Sequence, residues 1–172
     1  NAALPQPWAA EEILALGRSY QGAAVLAAAA ELDLFGSLSA APLPAAELAR
    51  RLQCDQRAVT ILLDALVALR LLQKSGSNYV LPAGLNAFLT HDGTQSVLAM
   101  AQHQAHCLRN WAQLAQVVKT GRPAACIPGV RGRDGAQEAF IGAMHNVSAP
   151  NADQVIQAVQ PLQFRHLLDI GG

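Results

Sequence analysis

The stretch DQRAVTILLDALVALRLLQKSGSNYVL, Asp55 to Leu81, decides the fold. Asp55 stands just ahead of an apolar-periodic run and reads as a helix N-cap, placed to accept a free first-turn amide. Val59, Leu62, Leu63, Leu66 and Leu69 then recur on one stripe, so the spacing predicts a helix over 56–72. Lys74 to Asn78 is a run of turn formers, and Tyr79 to Leu81 reads as a strand stopped by Pro82. Upstream, Pro44 to Leu52 carries Leu48 and Leu52 on one face of a short helix, with a turn at 53–55. Helix, turn, helix and a small β-hairpin form a winged-helix unit.

Outward from this unit the chain is mostly helical. Residues 1–10, with Pro5 and Pro7, read as a loose arm. Glu11 to Ala30 reads as one helix: two glutamates suit its positive end, and Ile13, Leu16, Tyr20, Ala24 and Ala27 follow at helical spacing. Gly22 to Ala30 is nearly all small residues, which admits a close partner helix or packs inside one core. Glu31 to Gly36 closes the helix. Residues 83–92 read as a short helix and loop, and Thr94 to Lys119 as a long helix ended by Gly121 and Pro123. A loop over 121–132 precedes a helix from Gln137 to about His145. Pro150, suited to a first turn, opens a further helix to about Val159.

The last residues, Phe164 to Gly172, read differently. Leu167, Leu168 and Ile170 form a short apolar run before Gly171 and Gly172, the pattern of a buried parallel strand entering a tight turn. This is how the nucleotide-binding loop of a Rossmann-like domain begins. The expected fold class is therefore mainly α: a winged-helix-type dimerisation domain with a small β-hairpin, ending in the first strand of a Rossmann-like domain. Three parts are expected: residues 1–92, the N-terminal helix and winged helix; 93–160, the long and linking helices; and 161–172, the first strand and glycine turn.

Composition narrows the function. Hydrophobic residues make up 52% and charged ones 14%, with a formal net charge of +0. That is too apolar for disorder, and apolar enough to predict a large surface covered by a partner. Neutral charge argues against nucleic acid, which rewards a basic face. A winged-helix transcription regulator is the rival reading. However, the second helix offers only Arg57 and Arg70 as bases, balanced by Asp55 and Asp64. No run reaches the about 18–20 apolar residues of a membrane span, and no signal peptide is visible. Cys54, Cys107 and Cys126, odd in number and far apart, predict reduced thiols and a cytoplasmic location. His103, His106 and Cys107 lie three and four apart on one helix, a spacing open to metal. No second ligand pair accompanies them, so pocket lining or packing is expected and no metal is assigned.

Five segments in order carry a resemblance. Ala28 to Phe35, the winged-helix unit from Leu43 to Leu81, Trp111-Ala-Gln-Leu114 with Val118 and Gly121, Phe140 to Met144 with Ser148, and Leu167 to Gly172 together resemble the N-terminal half of S-adenosylmethionine-dependent O-methyltransferases. These are the caffeate-type and hydroxyindole-type plant enzymes and their bacterial antibiotic-tailoring relatives. The resemblance implies a homodimer built by the N-terminal helices and methyl transfer to a hydroxyl of a small, aromatic molecule. By motif position it places Phe140 and Met144 at the substrate cavity and Gln102 on the acceptor pocket. Asp169, Gly171 and Gly172 fall at the opening of the S-adenosylmethionine loop, with Asp169 shaping the loop. The family's histidine general base is expected outside this chain, so no catalytic residue is assigned and the fragment alone is expected to be inactive. Val147 stands where the family often has a histidine, a departure that bears on the acceptor site.

Overall fold

The winged-helix unit forms as its spacing predicts. In the computed structural model, which describes residues 8–160 together with 163, 165, 166, 168 and 170, the chain begins with helices α1 (Ala10–Arg18), α2 (Tyr20–Glu31) and α3 (Leu34–Leu38). The unit itself is β1 (Leu43–Pro44), α4 (Ala45–Leu52), α5 (Gln56–Ala68), β2 (Gln73–Ser75) and β3 (Asn78–Val80). Asp55 caps α5, its Oδ1 accepting the Ala58 amide at 2.8 Å. The sheet is antiparallel in the order β1-β3-β2, with Leu43 and Lys74 both opposite Tyr79.

The end of α5 departs from the sequence reading, while α4 stops at Leu52 as read, and both close in the same way. α5 stops at Ala68 because Arg70 takes the left-handed conformation (φ 61°). The Arg70 amide then donates to the Val67 carbonyl and the Leu71 amide to the Leu66 carbonyl, both at 2.9 Å. Gln53 does the same for α4 at φ 53°, with the Cys54 amide reaching the Ala49 carbonyl at 2.9 Å. Both are Schellman closures without the glycine that normally marks them.

The rest is α6 (Ala83–Leu89), α7 (Leu98–Trp111), α8 (Leu114–Thr120) and α9 (Gly132–Val159). The helix read over 11–30 is divided at Ser19, and the one read over 94–119 is divided at Ala112 and Gln113. Residues 94–97 instead fold back on α6, the Val97 amide donating to the Phe88 carbonyl at 2.8 Å. The two helices expected on either side of Pro150 are one helix of 28 residues, with the proline inside it. Proline removes one intrahelical donor, and α9 continues on both sides of it.

The core runs through α2, α3, α4, α5, the wing and the start of α7, with Leu34, Phe35, Leu48, Leu63, Leu66, Leu72, Tyr79 and Leu98 fully buried. α7 lies between α2 and α9 and packs on both. Ala29 and Ala30 are shut from solvent on one side of it. On the other, Gly142 of α9 comes so near that a Cβ there would stand 2.6 Å from the Ala99 Cβ. Small residues thus set how closely α7 is gripped. Ala10–Glu31, 22 residues holding an 18-residue window of mean hydropathy 1.2, is long and apolar enough to cross a membrane by length and composition alone, although Glu11, Glu12 and Arg18 interrupt it. Its second half closes onto the protein core through Ala27, Ala29 and Ala30. At the far end Leu168 and Ile170 are exposed, while Asp169, Gly171 and Gly172 lie outside the described residues.

Candidate functional site

α7 is held in place from three sides. Gln102, which the motif order puts on the acceptor pocket, is buried, and its side-chain amide donates to the Ala30 carbonyl at 3.1 Å. That carbonyl is in the last turn of α2 and also accepts the Asp33 amide at 3.2 Å. Seven residues on, Arg109 forms a two-pronged pair with Glu31, Nη1 and Nη2 each 3.0 Å from a carboxylate oxygen. The pair is largely shielded, and Arg109 Nε donates to the Ile127 carbonyl at 3.1 Å. A planar guanidinium suits this fork, which ties the 121–131 loop to α7 and α2 together. Gln113 adds two bonds to Ala125, at 2.9 and 3.0 Å.

The face of α7 turned toward α9 borders a cavity of about 430 Å³ lined by His103, His106, Cys107, Asn110, Gln137 and Phe140. Residues 103, 106, 107 and 110 share this face because three and four are the neighbour spacings of a helix. The imidazoles of His103 and His106 are nearly parallel, their centroids 6.4 Å apart. The Phe140 ring tilts against His103 at 5.3 Å and is 48% exposed. Each imidazole is engaged at Nε2 one turn along the helix: His103 with Cys107 Sγ at 3.4 Å, His106 with the Asn110 side-chain nitrogen at 3.1 Å. The Nδ1 atoms of both are shut from solvent without a hydrogen-bond partner. Burial pushes the His103 pKa down, and a charge on His106 would push it further, so His103 is neutral at neutral pH.

Met144 stands one turn on from Phe140, on the same flank of α9 and beyond the cavity lining. The structure therefore brings Phe140 to the cavity, sets Met144 beside it, and seats Gln102 against α2. Pocket lining or packing was expected of His103, His106 and Cys107, and what the sequence reading missed is that Asn110 joins His106 on this face. Their spacing was visible, but only the packing of α9 over α7 closes that face into a hollow. Among the described residues no group of three or more His, Cys, Asp or Glu side chains is placed to hold a metal. A second hollow, about 730 Å³, lies between the 91–97 loop and α9 beside Asn146, whose amide donates to the Ser96 carbonyl at 2.7 Å.

Residues 16–89 match the family model described as the O-methyltransferase dimerisation domain. The chain is 30% identical over 169 residues to the tetracenomycin polyketide synthesis 8-O-methyl transferase TcmO of Streptomyces glaucescens, across 94% of this chain and 49% of that protein. It is 34% identical over 116 residues to the N,N-dimethyltransferase OxyT of Streptomyces rimosus, across 65% of this chain and 33% of OxyT. An O-methyltransferase family protein of known structure from Burkholderia thailandensis superposes with a TM-score of 0.68 at 27% identity, covering 87% of this chain and 46% of that one. The chain spans half or less of the length of the curated relatives it matches.

Proposed function

Because residues 16–89 are an O-methyltransferase dimerisation domain, we propose that the chain is the N-terminal part of an S-adenosylmethionine-dependent O-methyltransferase that pairs with a second copy and walls the acceptor pocket. The observation that carries this reading is the match of the family's dimerisation domain to the winged-helix unit and its preceding helices. The cavity between α7 and α9 gives the same reading a site: it is bounded by Phe140, at the family's motif position. The relatives are methyltransferases, so the transcription-regulator reading is not favoured. The surface of α5 agrees, with Ile61 60% exposed where a groove-reading helix needs polar side chains.

The acceptor is a hydroxyl of a small aromatic molecule. Phe140 and Met144 border it, and Gln102 serves it by fixing α7 on α2. S-adenosylmethionine is the family's methyl donor and supplies an electrophilic methyl group. Asp169, Gly171 and Gly172 are the residues of this chain proposed to lie against it. The chain's own contribution is positioning: a rigid α7 and α9 hold the acceptor ring in one orientation and keep water from it, which is how a binding wall lowers a barrier without entering the chemistry. The test is incubation of the gene product containing this chain with S-adenosylmethionine and a panel of hydroxylated aromatics, read by mass spectrometry. Gain of one methyl group on an oxygen is expected. Failure to bind S-adenosylmethionine by calorimetry overturns the reading, and methylation only of amines overturns the hydroxyl acceptor.

A further inference from the structure

We infer that Arg109 is a positioning residue: with Glu31 and Gly129 it sets the spacing of α7 and α9, and so the width of the hollow between them. This rests on the reading of the chain as an acceptor-binding part of a methyltransferase. The first ground is what one side chain reaches. The Arg109 guanidinium gives Nη1 and Nη2 to the two Glu31 oxygens, each at 3.0 Å, and Nε to the Ile127 carbonyl at 3.1 Å. Glu31 ends α2, Arg109 lies in the last turn of α7, and Ile127 belongs to the loop that leads into α9. A guanidinium is planar, so one rigid plane serves all three bonds, and the three elements cannot shift independently without breaking one of them.

The second ground is how closely the loop is laid on this fork. A Cβ at Gly129 would stand 2.6 Å from Arg109 Nη2 and would collide with the Glu31 carboxylate. The φ of Gly129 is not positive, so space and not backbone conformation calls for glycine there. The Gly132 amide donates to the Gly129 carbonyl at 3.1 Å, and Gly132 is the first residue of α9. The fork therefore fixes where α9 starts, and α9 brings Gln137 and Phe140 to the hollow. Arg109 itself adjoins Asn110 on the opposite wall. The third ground is that packing does not need the pair. The buried Ala29 and Ala30, with the Gln102 bond, already close α2 on α7. The Arg109 and Glu31 side chains are only 23% and 14% exposed. A charge pair so shielded adds little net stability over an apolar pair, because desolvation offsets its attraction. What it supplies, and two leucines could not, is a fixed direction and a fixed distance.

The test uses the gene product that contains this chain, with Arg109→Lys and Gly129→Ala. Lysine keeps the charge opposite Glu31 but has no plane to join it to Ile127. Alanine drives a methyl group into the fork. In both, the KM for the hydroxylated aromatic that the product methylates should rise roughly tenfold, with the KM for S-adenosylmethionine unchanged. A second readout needs no acceptor: alkylation by N-ethylmaleimide, followed for each thiol by peptide mass spectrometry. Cys107 lines the hollow, whereas the half-buried Cys54 packs against the winged-helix core. Cys107 should react several-fold faster in either variant, and Cys54 at the wild-type rate. A pair that only stabilised the fold would expose both thiols together and leave the acceptor KM of the folded enzyme where it was. Glu31→Gln, close to glutamate in shape, replaces either variant that fails to fold. An unchanged acceptor KM, an unchanged Cys107 rate, or a Cys54 rate that rises with it overturns the inference. The two readings fail separately. Absence of S-adenosylmethionine binding by the wild-type product removes the methyltransferase reading, and the Cys107 and Cys54 rates then decide alone whether Arg109 sets the spacing.

Discussion

Asp64 fastens the wing to α5. Its Oδ1 accepts from Lys74 Nζ at 2.8 Å and from the Tyr79 hydroxyl at 2.7 Å. The Lys74 hydrogen bond first, and the Tyr79 bond second, hold the Asp64 carboxyl below its usual range. A depressed folded-state pKa contributes stability above the unfolded pKa, near 4, and that contribution is lost as pH falls through the lower folded value. Asp64→Asn should therefore flatten the acid limb of the stability curve below about pH 4, read by urea unfolding at a series of pH values. A limb as steep as the wild type's would remove Asp64 from the account. Tyr79 is almost wholly buried, so Tyr79→Phe, which frees its partner to water, should cost about 1 kcal/mol. At this scale the sequence is legible where a side chain acts on its own neighbours. Asp55 is readable as a cap because the amide it serves is three residues on. Gln102 is not readable as a clamp, because Ala30 is 72 positions away. Arg70 is not readable as the terminator of α5, because the left-handed residue that ends the helix is not glycine.

At the scale of elements, the site depends on how tightly α9 is laid on α7. Gly142 is the point of closest approach, and any side chain there meets Ala99. Gly142→Val should destabilise the chain by roughly 1–3 kcal/mol through overpacking. Ala99→Gly in the same background should recover part of that, since the two residues share one contact. Additive losses in thermal unfolding would mean that α9 does not rest on α7 at this point. Pro150 tests the continuity of α9 itself. If the helix runs unbroken from Gly132 to Val159, Pro150→Ala restores a donor to a formed ladder and should raise stability, by up to about 3 kcal/mol. If the chain bends into two helices there, the same change gives no gain. The sequence reading favoured two helices because proline at a first turn is the commoner pattern. It had no means of weighing the packing of 132–149 on α7, which carries the helix past the proline.

For the whole molecule the open question is what covers the apolar surface. No residue of α1 is buried, and its Ile13 and Leu16, with Tyr20 at the start of α2, are 57%, 61% and 58% exposed. α9 shows Phe140, Ile141, Val147, Val155 and Ile156 to solvent as well. A helix with an apolar stripe and no core beneath it needs a cover from outside. Composition announced this surplus, and the dimerisation-domain match to residues 16–89 says what kind of cover one part of it takes. Which helices meet was not legible, since small residues mark close packing without saying against what. In the structure Ala27, Ala29 and Ala30 face inward, while the large side chains of α1 face out. We therefore propose that pairing with a second copy uses the exposed apolar side of α1 and not the alanine-rich half of α2. A stable homodimer interface buries on the order of 1,200–2,000 Å² or more, and a charge set in its middle is costly once desolvated. Leu16→Glu should convert a dimeric chain to monomer in sedimentation equilibrium while leaving its helix content intact, because the Leu16 side chain is exposed in the single chain. A dimer that survives both Leu16→Glu and Ile13→Glu would place the pairing surface elsewhere, with the exposed side of α9 the next to be probed.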